Sequence, residues 1–212
     1  MGKVEEVDSP MNGKLVVMRN FAWGTYIQIN KLTQSGGVVK AVWKTTLKKI
    51  GHQAINHCLI LGLGGGSAAQ LVRKNWPEAK IVGVEIDPLM IELGAKYLEL
   101  GTSAVDIKIE DAFRFVKKES KQSLPLRGGK YDLILVDTYV GDEFPRKFES
   151  EEFLKLVKKL LSQRGIVIFN RLYYGEKRKE AVKMLKKLEK VFPGVEAVYP
   201  EANVMFVCSL VE

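Results

Sequence analysis

The sequence predicts an α/β fold, built on a doubly wound, mostly parallel sheet of seven strands with a small β-hairpin before it. Two observations lead to this prediction. From residue 58 onward, short apolar runs alternate with amphipathic stretches of helical periodicity, which is typical of a sheet covered by helices on both faces. Near the C-terminus only residues 200–203 separate two strand-like runs. These are too few for a parallel crossover, so the last pair must be antiparallel.

The segment before residue 52 has a different pattern. Apolar residues alternate on both sides of a turn within residues 13–30, which predicts a β-hairpin. Residues 38–50 carry apolar side chains at helical spacing, and Gly51 stands where such a helix would end. The first dozen residues are expected to be irregular. The chain therefore divides into an N-terminal β segment plus helix at 1–51 and a Rossmann-like domain at 52–212.

The Rossmann-like domain is predicted element by element from its apolar runs. Continuous apolar runs bounded by Gly, Asp or Pro are typical of buried parallel strands; they occur at residues 58–61, 81–84, 105–109, 133–136 and 166–169. Helical stretches follow them at residues 67–75, 89–98, 112–118, 150–161 and 176–192. The antiparallel pair at 195–199 and 204–210 completes the sheet. This is the arrangement of the class I methyltransferase fold, whose ligands bind at the carboxyl ends of the strands.

Composition narrows the class of protein. The 212 residues carry a net charge of +8, concentrated on the outer faces of amphipathic helices, so we do not expect a nucleic acid as the partner. The two cysteines, Cys58 and Cys208, lie in apolar runs, and neither a disulfide nor a metal site is expected. No signal peptide or membrane-spanning run is recognisable, which favours a cytoplasmic protein without a membrane partner.

A glycine-rich loop at residues 61–67 joins the first predicted strand of the domain to a helix. Glycine allows the backbone to turn tightly and to approach a ligand without an intervening Cβ. The helix that follows offers free N–H groups to an anion. Such a loop is also compatible with a tight turn that binds nothing. We expect it to contact a cofactor through the glycines that it contains, Gly62, Gly64, Gly65 and Gly66.

Acidic residues follow the next three predicted strands. Glu85 stands about 20 residues beyond the glycine loop, where a carboxylate accepts hydrogen bonds from ribose hydroxyls. Asp87 is expected to cap the following helix, with Pro88 in its first position. Asp111, next to Ala112, is placed either to accept from an adenine amino group or to cap its own helix. Asp137 ends the fourth strand at the mouth of the same cleft.

These residues resemble the spermidine synthase family over about residues 24–208. Five stretches carry the resemblance: residues 59–66 (LILGLGGG), 82–87 (VGVEID), 110–112 (EDA), 131–137 (YDLILVD) and 148–153 (FESEEF). Residues 32–35 are similar to the glutamine-containing segment that precedes the family's nucleotide domain. The resemblance implies a donor of the S-adenosyl type, either S-adenosylmethionine or its decarboxylated form. It also implies that Gln34 lies near the sulfur end, with Glu85 on the ribose and Asp111 and Ala112 at the adenine.

The sequence departs from that family at two acids. Gly65 stands where the family's aminopropyltransferases have Asp inside the glycine loop, and Val140 stands where they have Asp three residues after the acid ending the fourth strand. In the family these acids hold the amine of the decarboxylated donor, and the second helps to deprotonate the attacking amine. Burying ammonium groups without carboxylates costs several kcal/mol each. Asp142 and Glu143 could replace them only if the next loop moved inward.

Three functions remain open on the sequence. The first is methyl transfer from intact S-adenosylmethionine to a small-molecule acceptor that the sequence does not identify, with Asp137 as acceptor-positioning residue or base. The second is aminopropyl transfer between polyamines with displaced acids. The third is a nucleoside-binding protein without catalysis. Wall residues of the acceptor site are expected among Tyr139, Asp142, Tyr173 and Tyr174. Phe21, Trp23 and Trp43 would supply an apolar surface for a homodimer.

Overall fold

The computed structural model describes residues 2–50, 52–122 and 130–211, so that Gly51 lies outside the described residues. An antiparallel sheet of four strands comes first: β1 Gly2–Ser9, β2 Gly13–Asn20, β3 Gly24–Ile29 and β4 Leu32–Gly36. Helix α1, Gly37–Lys49, follows. The predicted hairpin corresponds to β2 and β3. The expectation that the first dozen residues are irregular is wrong, because β1 pairs along β2.

Tertiary contacts explain why β1 is ordered despite its polar sequence. Glu5 accepts hydrogen bonds from the Lys96 ammonium and the Tyr97 hydroxyl, which belong to a helix later in the chain. At the end of β1, the Ser9 hydroxyl donates to the Asp87 carboxylate at 2.5 Å. These partners lie about 80 to 90 residues away along the chain, so no local pattern in the first dozen residues announces them.

The remaining elements alternate as predicted. In chain order they are β5 His57–Leu61, α2 Ser67–Asn75, β6 Lys80–Glu85, α3 Pro88–Tyr97, β7 Val105–Ile109, α4 Ala112–Gln122, β8 Tyr131–Val136, α5 Glu151–Leu160, β9 Leu161–Leu172, α6 Lys177–Glu189, β10 Gly194–Val198 and β11 Asn203–Ser209. They form one seven-stranded sheet in the order β10-β11-β9-β8-β5-β6-β7. All neighbouring strands are parallel except β11, which is antiparallel to both β9 and β10. The predicted fold class is confirmed.

Alternate residues of the central strands face the two sides of the sheet. Leu59 and Leu61 of β5 pack towards α4, α5 and α6, whereas Cys58 and Ile60 pack towards α1 and α2. A smaller cluster joins the N-terminal sheet to α3. Both cysteines are buried, and burial raises the pKa of each thiol. No helix in the three described ranges is long and apolar enough to cross a membrane.

Two of the aromatic residues expected on a dimer surface are exposed, and one is not. Phe21 and Trp23 are exposed at the turn between β2 and β3. Trp43 is 1% exposed and packs among the residues between α1 and the sheet, so its assignment to a surface is wrong. Its apolar neighbours on α1 face the same core, so the indole is buried and not part of the molecular surface.

The sheet places three loop beginnings side by side. Leu61 of β5 is in register with Val84 of β6 and with Val136 of β8, so these central strands end level. In the sheet, β6 lies on one side of β5 and β8 lies on its other side, so the connections that follow β5 and β8 run in opposite directions. A crevice opens at the point where the strand order reverses. The residues that follow these strands therefore meet at one edge of the sheet.

Candidate functional site

A cavity of about 370 Å³ opens at that edge. Its size lies within the range of pockets that hold small molecules. Seven of the residues expected at the site line it: Gln34, Gly62, Gly64, Glu85, Asp111, Ala112 and Asp137. The other two, Gly65 and Gly66, lie behind the lining. The level ends of β5, β6 and β8 thus bring together residues that stand up to 75 positions apart in the chain, as Gly62 and Asp137 do, and β4 adds Gln34.

The glycines of the loop differ in what they do. Gly62 and Gly64 have positive φ angles of 84° and 55° and line the cavity. The nearest atoms to a Cβ added at Gly64 would be 3.7 Å away, so this position is open. A Cβ at Gly65 would lie 2.8 Å from the Leu98 side chain, and one at Gly66 would collide with Leu100. The last two glycines therefore permit close packing beneath the loop.

Glu85 ends β6 and is 8% exposed at the cavity wall. One carboxylate oxygen accepts the Gly64 N–H at 2.8 Å, and the other accepts the N–H groups of Ile86 and Asp87 at 2.8 and 3.0 Å. Burial raises the pKa of Glu85 and these amide donors oppose the rise. The carboxylate therefore holds the glycine loop and the start of the next helix in one arrangement.

The structure confirms the capping role predicted for Asp87. Its side chain accepts the Leu89 N–H at 3.0 Å, and Pro88 occupies the first turn of α3. Its second oxygen accepts the Asn12 side-chain amide at 2.6 Å. Asn12, in the turn after β1, also lines the cavity. No pattern in the sequence points to Asn12, because the turn reaches the site only through the packing of the N-terminal sheet.

Asp111 fills one of the two roles left open for it, the helix cap, while its place on the cavity wall leaves the adenine role a prediction. One oxygen accepts the Arg114 N–H at 3.0 Å, which caps α4, and the other pairs with the Lys147 ammonium. Partial burial disfavours the charged form, but Lys147 and the helix amides outweigh it, and the pKa of Asp111 is lowered. Lys147 lines the cavity as well and was not among the expected residues.

Gln34 lies on β4 at the opposite wall. Its side-chain amide donates to the backbone oxygens of Leu32 and Gly141 at 3.3 and 3.1 Å. Gly141 belongs to the loop after β8. The glutamine thus joins the N-terminal sheet to the loop that carries Val140, and both residues face the same cavity.

Asp137 follows β8 and lines the cavity at its inner end. Its two oxygens accept hydrogen bonds from the Trp43 indole N–H at 2.9 Å and from the Asn170 side-chain amide at 2.8 Å. Burial raises the pKa of Asp137, while the two donors act in the opposite direction. Asn170 is 5% exposed at the end of β9, the strand that pairs with β8.

The walls around Asp137 are largely apolar. Tyr139 and Tyr174 line the cavity as expected, but Asp142 and Tyr173 do not. The apolar side chains that line the cavity include Ile29, Leu32, Val38, Val39, Val42, Val140, Pro145, Phe148 and Leu172. Asp142 is exposed and lies 3.4 Å from the Lys177 ammonium, because the loop turns it outward. Tyr173 packs against Tyr199, with ring centroids 5.2 Å apart.

The acidic side chains of the cavity are unevenly placed. Within the described residues, five acids line it: Glu85, Glu110, Asp111, Asp137 and Glu201. The first three follow β6 and β7. Glu201 is exposed at the turn between β10 and β11, which leaves Asp137 as the carboxylate at the inner, apolar end. Across the described ranges, no group of three or more His, Cys, Asp or Glu side chains could hold a metal ion.

The family model described as the spermine/spermidine synthase domain matches residues 45–205 of this chain. The chain belongs to this family. A polyamine aminopropyltransferase of Vibrio vulnificus is 34% identical over 113 residues, covering 53% of this chain and 36% of the relative. An eEF1A lysine and N-terminal methyltransferase homolog of Drosophila melanogaster is 31% identical over 140 residues, covering 65% of this chain and 20% of the relative. The family thus includes transferases of two kinds, and the chain spans about a third or less of these relatives' lengths.

Solved structures agree on the fold. A spermidine synthase in complex with the transition state analogue AdoDATO superposes with a TM-score of 0.80 at 18% identity, covering 98% of this chain and 73% of that one. Human methyltransferase-like protein 13 in complex with SAH gives a TM-score of 0.64 at 23% identity, covering 82% and 81%. The first of these neighbours was solved with AdoDATO and the second with SAH.

Proposed function

We propose that this chain binds intact S-adenosylmethionine and transfers its methyl group to an acceptor that enters the apolar end of the cavity. One observation carries the proposal. The inner end of the cavity has Asp137 as its carboxylate, and both oxygens of Asp137 are already engaged by Trp43 and Asn170. A site for a cationic decarboxylated donor and a cationic polyamine acceptor needs more negative charge than this.

The energetic argument concerns ammonium groups. In intact S-adenosylmethionine a carboxylate on the same carbon accompanies the ammonium, whereas the decarboxylated donor and a polyamine acceptor carry ammonium groups without one. An unpaired buried ammonium costs several kcal/mol. Val140 offers no charge, and Asp142 faces Lys177 outside the cavity. The loop between β8 and the next helix is fixed by Gln34 and by two hydrogen bonds between Val140 and Glu143, which opposes an inward movement of these acids.

The donor end favours an anion instead. Gly64, Ser67 and Ala68 line the cavity where α2 begins, and a helix N-terminus attracts negative charge by about 0.3–1 kcal/mol. Intact S-adenosylmethionine has a carboxylate for this position, and the decarboxylated donor has none. Glu85 would accept from the ribose hydroxyls, and Asp111 from the adenine amino group, in competition with Lys147.

Methyl transfer asks little more of the protein than orientation. The acceptor's lone pair attacks the methyl carbon as the bond from sulfur to that carbon breaks, and the acceptor's proton passes to a base. Asp137 is our candidate for that base. The names of the relatives support amines as acceptors, either small polyamines or amines of a protein. Both belong in an acceptor screen.

The proposal is tested by calorimetry with S-adenosylmethionine and its decarboxylated form side by side, followed by transfer from methyl-labelled donor to small amines and protein amines. We expect tighter binding of the intact donor. Val140→Asp is the matched variant, because Val140 is exposed at the cavity rim and accepts a carboxylate without repacking. It should shift the preference towards the decarboxylated donor. Gly65→Asp is unsuitable, since its side chain would meet Leu98.

Two results would overturn the proposal. If the wild-type chain prefers the decarboxylated donor, aminopropyl transfer takes the place of methyl transfer. If both donors bind equally, the affinity resides in the adenosine and the argument from the helix N-terminus fails. Tight binding of the intact donor without transfer to any acceptor in the screen would instead favour a nucleoside-binding protein.

A further inference from the structure

We propose that Trp43, Asn170 and Asn203 are positioning residues that hold the Asp137 carboxylate in one orientation, with its remaining lone pairs directed at the acceptor. The inference rests on the proposed function only in placing the acceptor next to Asp137. The three residues come from α1, β9 and β11, and none of them belongs to the glycine loop or to the acids that follow β6 and β7.

The hydrogen bonds form a directed chain. The Asn203 side-chain N–H group donates to the Asn170 side-chain oxygen at 2.7 Å. With its oxygen occupied, the Asn170 amide turns its own N–H group to Asp137 at 2.8 Å. The Trp43 indole can only donate, and it reaches the second Asp137 oxygen at 2.9 Å. Every partner in the chain is therefore a donor towards Asp137, and an Asn170 amide turned over would present its oxygen to the ionised carboxylate and lose that contact.

The chain of hydrogen bonds has a chemical consequence. Donors on both oxygens favour the ionised carboxylate, in opposition to the surrounding protein, which favours the protonated acid. A carboxylate held by two donors cannot rotate, yet each oxygen has two lone pairs and one remains for an acceptor N–H or O–H. Asn170 is 5% and Trp43 1% exposed, so little of either donor is accessible to solvent.

Other titratable groups near Asp137 do not obscure this effect. Tyr139 follows it in the chain, and burial raises the pKa of that phenol, which stays neutral. On β9, Arg171 pairs with Glu149. On β8, Asp132 lies at the opposite end of the strand and binds the amide of His57. The lysines of α1 are exposed, and β11 carries no charged residue.

The indole signals of the three tryptophans provide the test. In a ¹H–¹⁵N spectrum followed over pH, the Trp43 indole N–H should shift with the ionisation of Asp137, and Asp137→Asn should abolish the shift. Trp76 is the matched internal control, because its indole donates at 2.8 Å to the backbone oxygen of Gln53, which does not titrate. Trp43→Phe assigns the signal.

Variants of the two asparagines complete the experiment. Asn170→Leu removes one donor and should move the midpoint of the Trp43 titration to higher pH by about one unit or more. Asn203→Leu should also move the midpoint to higher pH, but by a smaller amount. The Asn170 amide can still donate to Asp137 in that variant, although its orientation is no longer fixed by Asn203. Asn75→Leu, an exposed position at the end of α2, should leave the midpoint unchanged. If Asn170→Leu fails to fold, Asn203→Ser reports on the same chain from its far end.

Calorimetry with S-adenosylmethionine separates this inference from the proposed function. Asn170→Leu should keep donor affinity within about threefold, since Asn170 is not among the residues at the nucleoside end. A Trp43 signal that does not titrate, or a midpoint unchanged in both asparagine variants, overturns the positioning role even if methyl transfer is found. If the wild-type chain does not bind the intact donor more tightly than the decarboxylated one, the proposed function is overturned. The pH titration of the Trp43 signal would be unaffected by that result.

Discussion

The backbone at Gly62 touches the backbone of Asp137. A Cβ added at Gly62 would lie 2.6 Å from the Asp137 carbonyl carbon and closer still to its oxygen. The Asp137 N–H also donates to the Leu61 oxygen at 2.8 Å. The two loops that open at the ends of β5 and β8 are thereby locked together at the floor of the cavity, and glycine at position 62 is a requirement of packing as well as of its positive φ.

Replacing Gly62 and Gly64 separately should distinguish packing from ligand access. Both have positive φ, for which an alanine costs about 1–2 kcal/mol. Gly62→Ala should cost more than Gly64→Ala in the free energy of unfolding, because only the first meets backbone atoms. Denaturant unfolding measures the difference. Equal losses in the two variants would contradict the close contact between these loops.

Glu85→Gln should weaken S-adenosylmethionine binding at least tenfold, because a hydrogen bond to a charged group contributes about 1.5–3 kcal/mol. Part of the loss would come from the Gly64 N–H, which now donates to this carboxylate. Calorimetry measures the affinity. Glu201→Gln at the exposed rim is the matched control and should bind the donor normally; unchanged affinity in Glu85→Gln with intact folding would remove Glu85 from the site.

Two substitutions at Asp111 separate its structural role from ligand binding. Asparagine can still cap α4 through the Arg114 N–H, so Asp111→Asn should keep most of the stability, whereas Asp111→Ala should lose about 1 kcal/mol. Both should bind the adenosyl donor more weakly if the carboxylate accepts from the base. Unfolding curves and calorimetry are compared. If Asp111→Asn matches wild type in both stability and donor affinity, and only Asp111→Ala differs, Asp111 is a helix cap and does not bind the donor.

Glu149→Gln should destabilise the fold by about 3 kcal/mol at neutral pH, because Arg171 is 2% exposed and depends on this carboxylate at 2.6 Å. Partial burial opposes ionisation of Glu149, but Lys187 and Arg171 outweigh it and lower its pKa. Its stabilising contribution is thus complete above the ordinary pKa of glutamate and is lost as the pH falls through the lowered folded value.

The gap between wild type and Glu149→Gln should therefore narrow in acid. Denaturant unfolding at neutral pH and at several acidic values measures it. Glu151→Gln is the control, since Glu151 is an exposed partner of Lys155 and its loss should leave the unfolding curve unchanged. A gap independent of pH would mean that the charge of Glu149 is not what stabilises Arg171.

The sequence by itself determined the succession of strands and helices that build the main sheet, and seven of the residues that line the cavity. Buried strands need continuous apolar runs, and their turns need Gly, Asp or Pro. Short stretches of sequence are therefore enough to predict these elements. The cap at Asp87 and the antiparallel end of the sheet follow from spacings of a few residues. Parallel strands that end level bring the acids after them to one edge, so Glu85, Asp111 and Asp137 could be grouped before any coordinates.

Only the tertiary structure decided the partners of those acids. Trp43 lies 94 positions from Asp137, and Lys147 lies 36 positions from Asp111, separations at which no periodicity links two side chains. Tertiary contacts with α3 also explain why β1 is a strand. Gly65 lies behind the cavity wall because the Leu98 side chain packs against it. Hydrogen bonds and packing of this kind depend on where whole elements dock, and docking is a property of the assembled core rather than of any local segment.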